Sequence, residues 1–296
     1  MSEEERQKTI YPERSQEEWQ KRSQEQEQKR SQEMAQKAET QLPEEQPQTG
    51  VRYAGVWRAG TGQQVLVTDA EWSTFESKWK DLSGQGLRLV SFRTYVMNSQ
   101  RVYAGVWRPG TDAYYLWVGV DWTNFESKWK ELSGQGLRLT RFQTYVDGTA
   151  RKYAGVWRAG TDGYALWVGV DWTNFEAKWK ELSGQGLRLV DFQTYLDGTA
   201  RKYAGVWRAG TDAHALRVGL DWSTFEAKAT ELSGQGLRLT RLRRYLEGGQ
   251  ERFAGVWRAG TDAHYHLAGV DRETITRKTY ELEQSGLRLV DFNAYG

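Results

Sequence analysis

The hexapeptide Tyr-Ala-Gly-Val-Trp-Arg begins at residues 53, 103, 153 and 203 and returns as Phe-Ala-Gly-Val-Trp-Arg at 253. A fixed spacing of fifty residues marks a repeat protein, whose units are each too small to bury an apolar face except against a neighbour. It divides residues 50–296 into five copies, 51–100, 101–150, 151–200, 201–250 and 251–296, and sets the first 49 residues apart.

Copy three displays the elements. Tyr153, Gly155 and Trp157 alternate with Ala154, Val156 and Arg158, the period of a strand. Residues 159–163 (AGTDG) carry turn chemistry, and Tyr164 to Val170 reads as a second strand, so the two are predicted to form a hairpin. A helix opens around Asp171–Thr173, where Thr173 and Glu176 have the spacing of a capping box. Trp172, Phe175, Trp179 and Leu182 give it one apolar face, and the Ser-Gly-Gln-Gly run at 183–186 ends it. A third strand from Leu187 to about Leu196 changes apolar parity between Leu189 and Phe192, which predicts a bulge or a switch of buried face. The turn at 197–200 leads straight into the next hexapeptide, so each third strand is predicted to pair with the first strand of the following copy.

Five strand-strand-helix-strand units predict an α+β repeat array: a strongly curved antiparallel sheet, half-barrel, barrel-like or closed ring, with helices on one face. The array enters on a first strand and finishes on a third, leaving two complementary edges. Copy five places Arg272, Ile275 and Thr279 where copy three has Trp172, Phe175 and Trp179. A wetter terminal unit of this kind is what a cap needs, and it favours an open or loosely closed array.

The phrases RYAGVWR-x-GT, DW-x-x-F-x-x-K-W and L-x-GQGLRLVD together resemble the bacterial tandem repeat domain over residues 51–296. In that family such repeats are accessory N-terminal modules of secreted polyglycine hydrolases with a serine β-lactamase-like catalytic domain, and they also occur as stand-alone arrays. The resemblance implies a curved, half-barrel-like or barrel-like repeat domain and implies no activity, since this chain has no room for a catalytic domain.

Residues 1–49 are rich in Gln, Glu, Lys, Arg and Ser, and QKRSQE at 20–25 recurs at 28–33. With no apolar stripe to bury, the segment is predicted to be a disordered tail or a solvated helix, with a linker around Pro43 and Pro47. Net charge is +2, so non-specific nucleic-acid binding is not expected. There are no cysteines, which excludes disulfides and thiolate chemistry but selects no compartment. No secretory h-region and no run of 18 apolar residues occurs, so neither a Sec-type signal nor a membrane span is expected, and localisation and oligomeric state stay open.

Candidate chemistry is sparse. Ser77 with Lys80 and Ser127 with Lys130 have S-x-x-K spacing, but copies three and four carry Ala177 and Ala227 at the serine position and the partner motifs are missing. His214, His264 and His266 are the only imidazoles, and the first two replace tyrosines of earlier copies. The Gly-rich run follows a helix instead of preceding one, the wrong order for a phosphate loop. No catalytic residue, metal or cofactor is therefore assigned, and the chain is expected not to be an enzyme.

Fifteen Trp and fifteen Tyr are the compositional oddity. The invariant Trp57, Trp107, Trp157, Trp207 and Trp257 read as scaffold, whereas Val67, Trp117, Trp167, Arg217 and Leu267 vary at one position of the second strand. A framework position would not accept Trp, Arg and Leu alike, so this row is predicted to be exposed or to sit in a partner-facing groove, with drift on an unused surface as the alternative. Tyr115, Trp117, Trp167 and Arg217 are its candidate contacts, with Asp112, Asp162, Arg108 and Arg158 as neighbouring polar groups. The function expected is a binding module for a carbohydrate, peptide or protein polymer acting through repeated weak contacts, with self-assembly through strand edges or the tail as the alternative.

Overall fold

The computed structural model describes residues 8–10 and 50–295. A short strand, β1 (Lys8–Ile10), precedes the copies. Copy one contains β2 (Arg52–Ala59), β3 (Val65–Ala70), α1 (Trp72–Gly84) and β4 (Leu87–Met97). Copy two contains β5 (Gln100–Pro109), β6 (Tyr114–Val120), α2 (Trp122–Gly134) and β7 (Leu137–Asp147). Copy three contains β8 (Ala150–Ala159), β9 (Tyr164–Val170), α3 (Trp172–Gly184) and β10 (Leu187–Asp197). Copy four contains β11 (Ala200–Ala209), β12 (His214–Leu220), α4 (Trp222–Gly234) and β13 (Leu237–Glu247). Copy five contains β14 (Gln250–Ala259), β15 (His264–Val270), α5 (Arg272–Gln284) and β16 (Leu287–Tyr295).

The strands are shared between copies. Each first strand sits in the middle of an antiparallel sheet whose other two members are the second and third strands of the preceding copy, as in β3-β5-β4 and β9-β11-β10. The predicted pairing of third strand with following first strand is present, with Asp197 opposite Ala200 across the connecting turn. The predicted hairpin of first and second strands is not. Alternation identifies a strand without naming its partner, and the turn at 159–163 carries the chain from one sheet into the next. In place of one strongly curved sheet there are five small ones, none closed on itself or strongly curled.

The ends of the array also differ from expectation. The strand β2 is bonded on both sides, with Trp57 opposite Tyr265 of β15 and Leu289 of β16, so it fills the sheet of copy five as β5 fills that of copy one. Of the last copy's three departures, Ile275 and Thr279 are buried and Arg272 is exposed. Third strands of successive copies touch, β4 with β7, β7 with β10, β10 with β13 and β13 with β16, and β16 in turn touches β4. The tail expected over 1–49 lies outside the described residues except at β1, a strand and not a helix, which runs antiparallel to β6 with Thr9 opposite Tyr115.

Local chemistry explains the elements. The third strand carries the expected irregularity, between Leu189 and Asp191 in copy three. The helix cap is an aspartate rather than the predicted hydroxyl-carboxylate box: Asp171 accepts a 2.9 Å hydrogen bond from the Asn174 backbone, and Asp121, Asp221 and Asp271 do the same in their copies. Because Trp172 is the first helical residue, Asp171 occupies the half-in position from which a short side chain reaches the third amide. Glu71, in that position in copy one, makes no such bond.

The hexapeptide is scaffold, as its invariance suggested. Trp57, Trp107, Trp157, Trp207 and Trp257 are all buried, each helix lays a Phe or Ile against the first strand it covers, and Phe125 and Trp157 lie 5.4 Å apart between ring centroids. Gly155 is required because the Trp157 indole folds back over it, and a Cβ there would stand 2.6 Å from the ring.

Candidate functional site: an arginine-lined pocket where five copies meet

The third strands are innermost, and at their bulge the residue types diverge into Ser91, Arg141, Asp191, Arg241 and Asp291. Two positions on stand Arg93, Gln143, Gln193, Arg243 and Asn293. Opposite charges alternate from copy two to copy five, but five is odd, and the fifth place falls to the neutral Ser91. Arg243 bridges both carboxylates, 2.6 Å from Asp191 and 2.6 Å from Asp291. Backbone amides of the preceding copy complete the aspartates, Phe142 donating to Asp191 at 2.8 Å and Leu242 to Asp291 at 2.9 Å. Phe292 donates to Ser91 Oγ at 3.2 Å, the equivalent contact from copy five to copy one.

The charges do not balance. Arg93, Arg141, Arg241 and Arg243 are buried with only two buried carboxylates, Asp191 and Asp291, among them. Burial pushes the Asp291 carboxyl up, but Arg243, Arg93 and Arg241 outweigh it and hold the group below its ordinary value. Among the described residues Arg141 is the one of the four with no ion pair to these carboxylates: its hydrogen bond goes to the Thr140 carbonyl at 2.6 Å, and its fully buried Nε has no partner there. Burial and then the Arg241 charge push its pKa well down.

Above this layer opens a cavity of about 280 Å³. Arg141 and Arg241 line it from the buried layer, and Arg58, Arg108 and Arg258 from the ends of the first strands. Between them stands an apolar wall of Val90, Leu189, Val190 and Val290 with Thr240. Residues of all five copies contribute, and no carboxylate is among them.

The arginines at the strand ends are tied down in four cases out of five. Arg158, Arg208, Arg258 and Arg58 each grip an aspartate of the preceding copy in a two-pronged ion pair, with Nε at 2.6, 3.0, 2.7 and 2.9 Å from Asp112, Asp162, Asp212 and Asp262. These bonds hold Asp162, Asp212 and Asp262 below the ordinary carboxylate range. For Arg108 the corresponding residue is Gly62, and its contact is one long hydrogen bond, 3.5 Å, to the Thr61 carbonyl. Burial and the nearby Arg288 charge lower its pKa.

The predicted second-strand residues lie elsewhere and apart from one another. Each second strand belongs to a different sheet, so Val67, Trp117, Trp167, Arg217 and Leu267 form no continuous platform. Trp117 and Tyr115 are each 4% exposed, on the one second strand that carries β1 along its edge, and Lys128 sits 5.2 Å from the Trp117 ring centre. Trp167, in the same place in copy three, is 40% exposed, with Lys178 over its ring at 4.6 Å. Arg217 is half-buried and donates to the Leu216 carbonyl. Asp112, Asp162, Arg108 and Arg158 do not surround these rings: three are spent in the ion pairs and Arg108 faces the cavity. Ser77 and Ser127 lie on exposed helix faces. His214 bonds Ser183 Oγ at 3.0 Å and His266 bonds Glu226 at 3.0 Å, and no cluster able to hold a metal occurs among the described residues. The arginine pocket was missed from sequence, although charged residues inside the third strand and the single Gly in a column of Asp were visible signals.

Five units that lend strands to one another define a tandem-repeat scaffold. The chain belongs to the family described as polyglycine hydrolase-like, structural repeat, whose pattern matches residues 68–109, 111–159, 161–209 and 211–259, more than half of its length. The stretch 111–159 spans β6, α2, β7 and β8, the three strands that the copies contribute to one sheet together with their helix. The sheet β15-β2-β16 is the one assembled from both ends of the array. No curated protein matches the chain.

Proposed function

We propose that the chain is a non-enzymatic binding module, its five repeats closed into a ring, that takes an extended polypeptide along the outer edge strand of its sheets. Closure is supported by β2 lying between β15 and β16 and by the Arg58–Asp262 pair. The observation that carries the binding reading is the edge of β6, where β1 already adds as an antiparallel strand, while among the described residues β3, β9, β12 and β15 have one strand neighbour each. An edge of this kind offers unpaired backbone donors and acceptors to a peptide, with flanking side chains supplying selectivity. In copy three Trp167 and Tyr164 are the exposed flanks.

Peptide arrays and glycan arrays probed in parallel with the full chain and with Trp167→Ala test the proposal. Extended peptides with alternating apolar residues are expected to bind, and Trp167→Ala to weaken them several-fold. A blank peptide array, binding to glycans alone, or indifference to Trp167→Ala overturns it. The same free edges favour self-assembly as the second reading, in which the added strand belongs to another copy of the chain. Mass by light scattering that rises with concentration supports that reading, and a constant monomer mass removes it.

A further inference from the structure

The cavity at which the five copies meet is lined by five arginines and no carboxylate. Three features set it apart from a structural ion-pair network. Four buried guanidiniums share two buried carboxylates, so the layer beneath the cavity holds uncompensated positive charge. Arg141, only 9% exposed, presents a buried Nε that no protein atom accepts from. Arg108 is the one strand-end arginine whose aspartate is replaced, by Gly62, and it faces the same space. Uncompensated buried charge is costly, and guanidiniums that are short of acceptors beside an apolar wall are matched by an anion with several oxygens.

We propose that this pocket is a binding site for a small polyanion carrying phosphoryl or carboxylate oxygens. Its volume of about 280 Å³ suits a compact metabolite-sized anion. Arg141 and Arg241 meet the anion from below, Arg108, held only by its long hydrogen bond to Thr61, reaches it from the strand ends, and Arg58 and Arg258, held by Asp262 and Asp212, add field without needing to move. Val90, Val190 and Val290 set apolar surface beside the arginines, and the lower local polarity strengthens each charge-assisted hydrogen bond. Because the anion neutralises charge left over by an odd number of repeats, it also stabilises the fold. The proposal is independent of the edge-strand reading.

Isothermal titration and thermal unfolding of the full chain with inorganic phosphate, pyrophosphate and citrate test it. At least one of these is expected to give saturable heat at a single site and to raise the unfolding temperature with concentration. Saturation by phosphate or pyrophosphate identifies a phosphoryl ligand, and saturation by citrate alone a carboxylate one. Arg141→Met and, separately, Arg108→Ala are expected to weaken binding by about tenfold or more, the effect of losing one charge-assisted hydrogen bond. Should Arg141→Met not fold, Arg108→Ala alone decides, since that side chain carries no ion pair. Arg151, at the other end of β8, bonds the Leu196 carbonyl and Asp197, and Arg151→Ala is the control that leaves affinity unchanged. No saturable heat with any of the three anions, or equal affinity in wild type, Arg108→Ala and Arg141→Met, overturns the proposal.

Discussion

Arg58 grips Asp262, 204 residues away, in the same two-pronged ion pair that Arg158 forms with Asp112 at a separation of 46. The Arg288 Nε likewise bonds the Gly62 carbonyl at 2.6 Å, as Arg88 bonds that of Asp112 at 2.7 Å. The boundary between copies five and one therefore repeats the chemistry of an internal boundary. Asp262→Asn is expected to lower stability by about 1 kcal/mol, the top of the range for partly exposed pairs, and by the same amount as Asp162→Asn. Urea unfolding midpoints of the two variants check this. A clearly smaller loss for Asp262→Asn means that the boundary joining the ends opens in solution.

A second expectation concerns the hexapeptide. The Cβ of Gly155→Ala would lie 2.6 Å from the Trp157 ring and 2.8 Å from Leu139 Cδ1, and neither neighbour has free space in the core. The variant is expected to lose about 1–3 kcal/mol, the usual range for overpacking. Combining it with Trp157→Phe, which shortens the ring, is expected to cost less than the sum of the two single changes when each is measured by urea unfolding. An additive result means that the collision is relieved elsewhere.

These two cases mark how far the sequence could be read. The constancy of Trp157 and Gly155 across copies, and the parity change at Leu189, are local signals, and each led to the observed feature. Strand exchange is not local: Tyr164 alternates as well in a hairpin with its own first strand as in the sheet with β11 where it lies opposite Arg208. The capping box fitted Thr173 and Glu176, yet Asp171, two residues earlier, had the better reach. The row through Trp117 and Trp167 was sought as one surface because equivalent positions vary, but equivalence places them on different sheets. The arginine pocket depends on comparing five copies at a point where their chains converge. Arg141 and Asp191 hold the same position in neighbouring copies, and only the burial of both marks that position as a charged layer.

The last expectation is a dependence of stability on pH. Arg208, Arg258 and Arg58 hold Asp162, Asp212 and Asp262 below the ordinary value of 3.8, and Asp291 is lowered by Arg243, Arg93 and Arg241 against the effect of burial. With the folded pKa below the unfolded one, the unfolded chain binds protons first, so this stability is complete above the unfolded value and is lost as pH falls through the folded values. Burial also lowers His214 and His264 from 6.5, and by the same sign they add an earlier, shallower loss as pH falls below that value. Urea unfolding followed from about pH 7 to about pH 3 is expected to show a shallow decline and then a steep one below the ordinary carboxylate range. Asp291→Asn leaves Arg93, Arg241 and Arg243 with a single buried carboxylate, Asp191, and is expected to cost about 3–5 kcal/mol at neutral pH. Its acid limb is expected to be flatter than that of wild type, because a carboxylate held below its ordinary value in the folded state has been removed. An acid limb unchanged by Asp291→Asn would assign the loss to the exposed carboxylates instead of the buried layer.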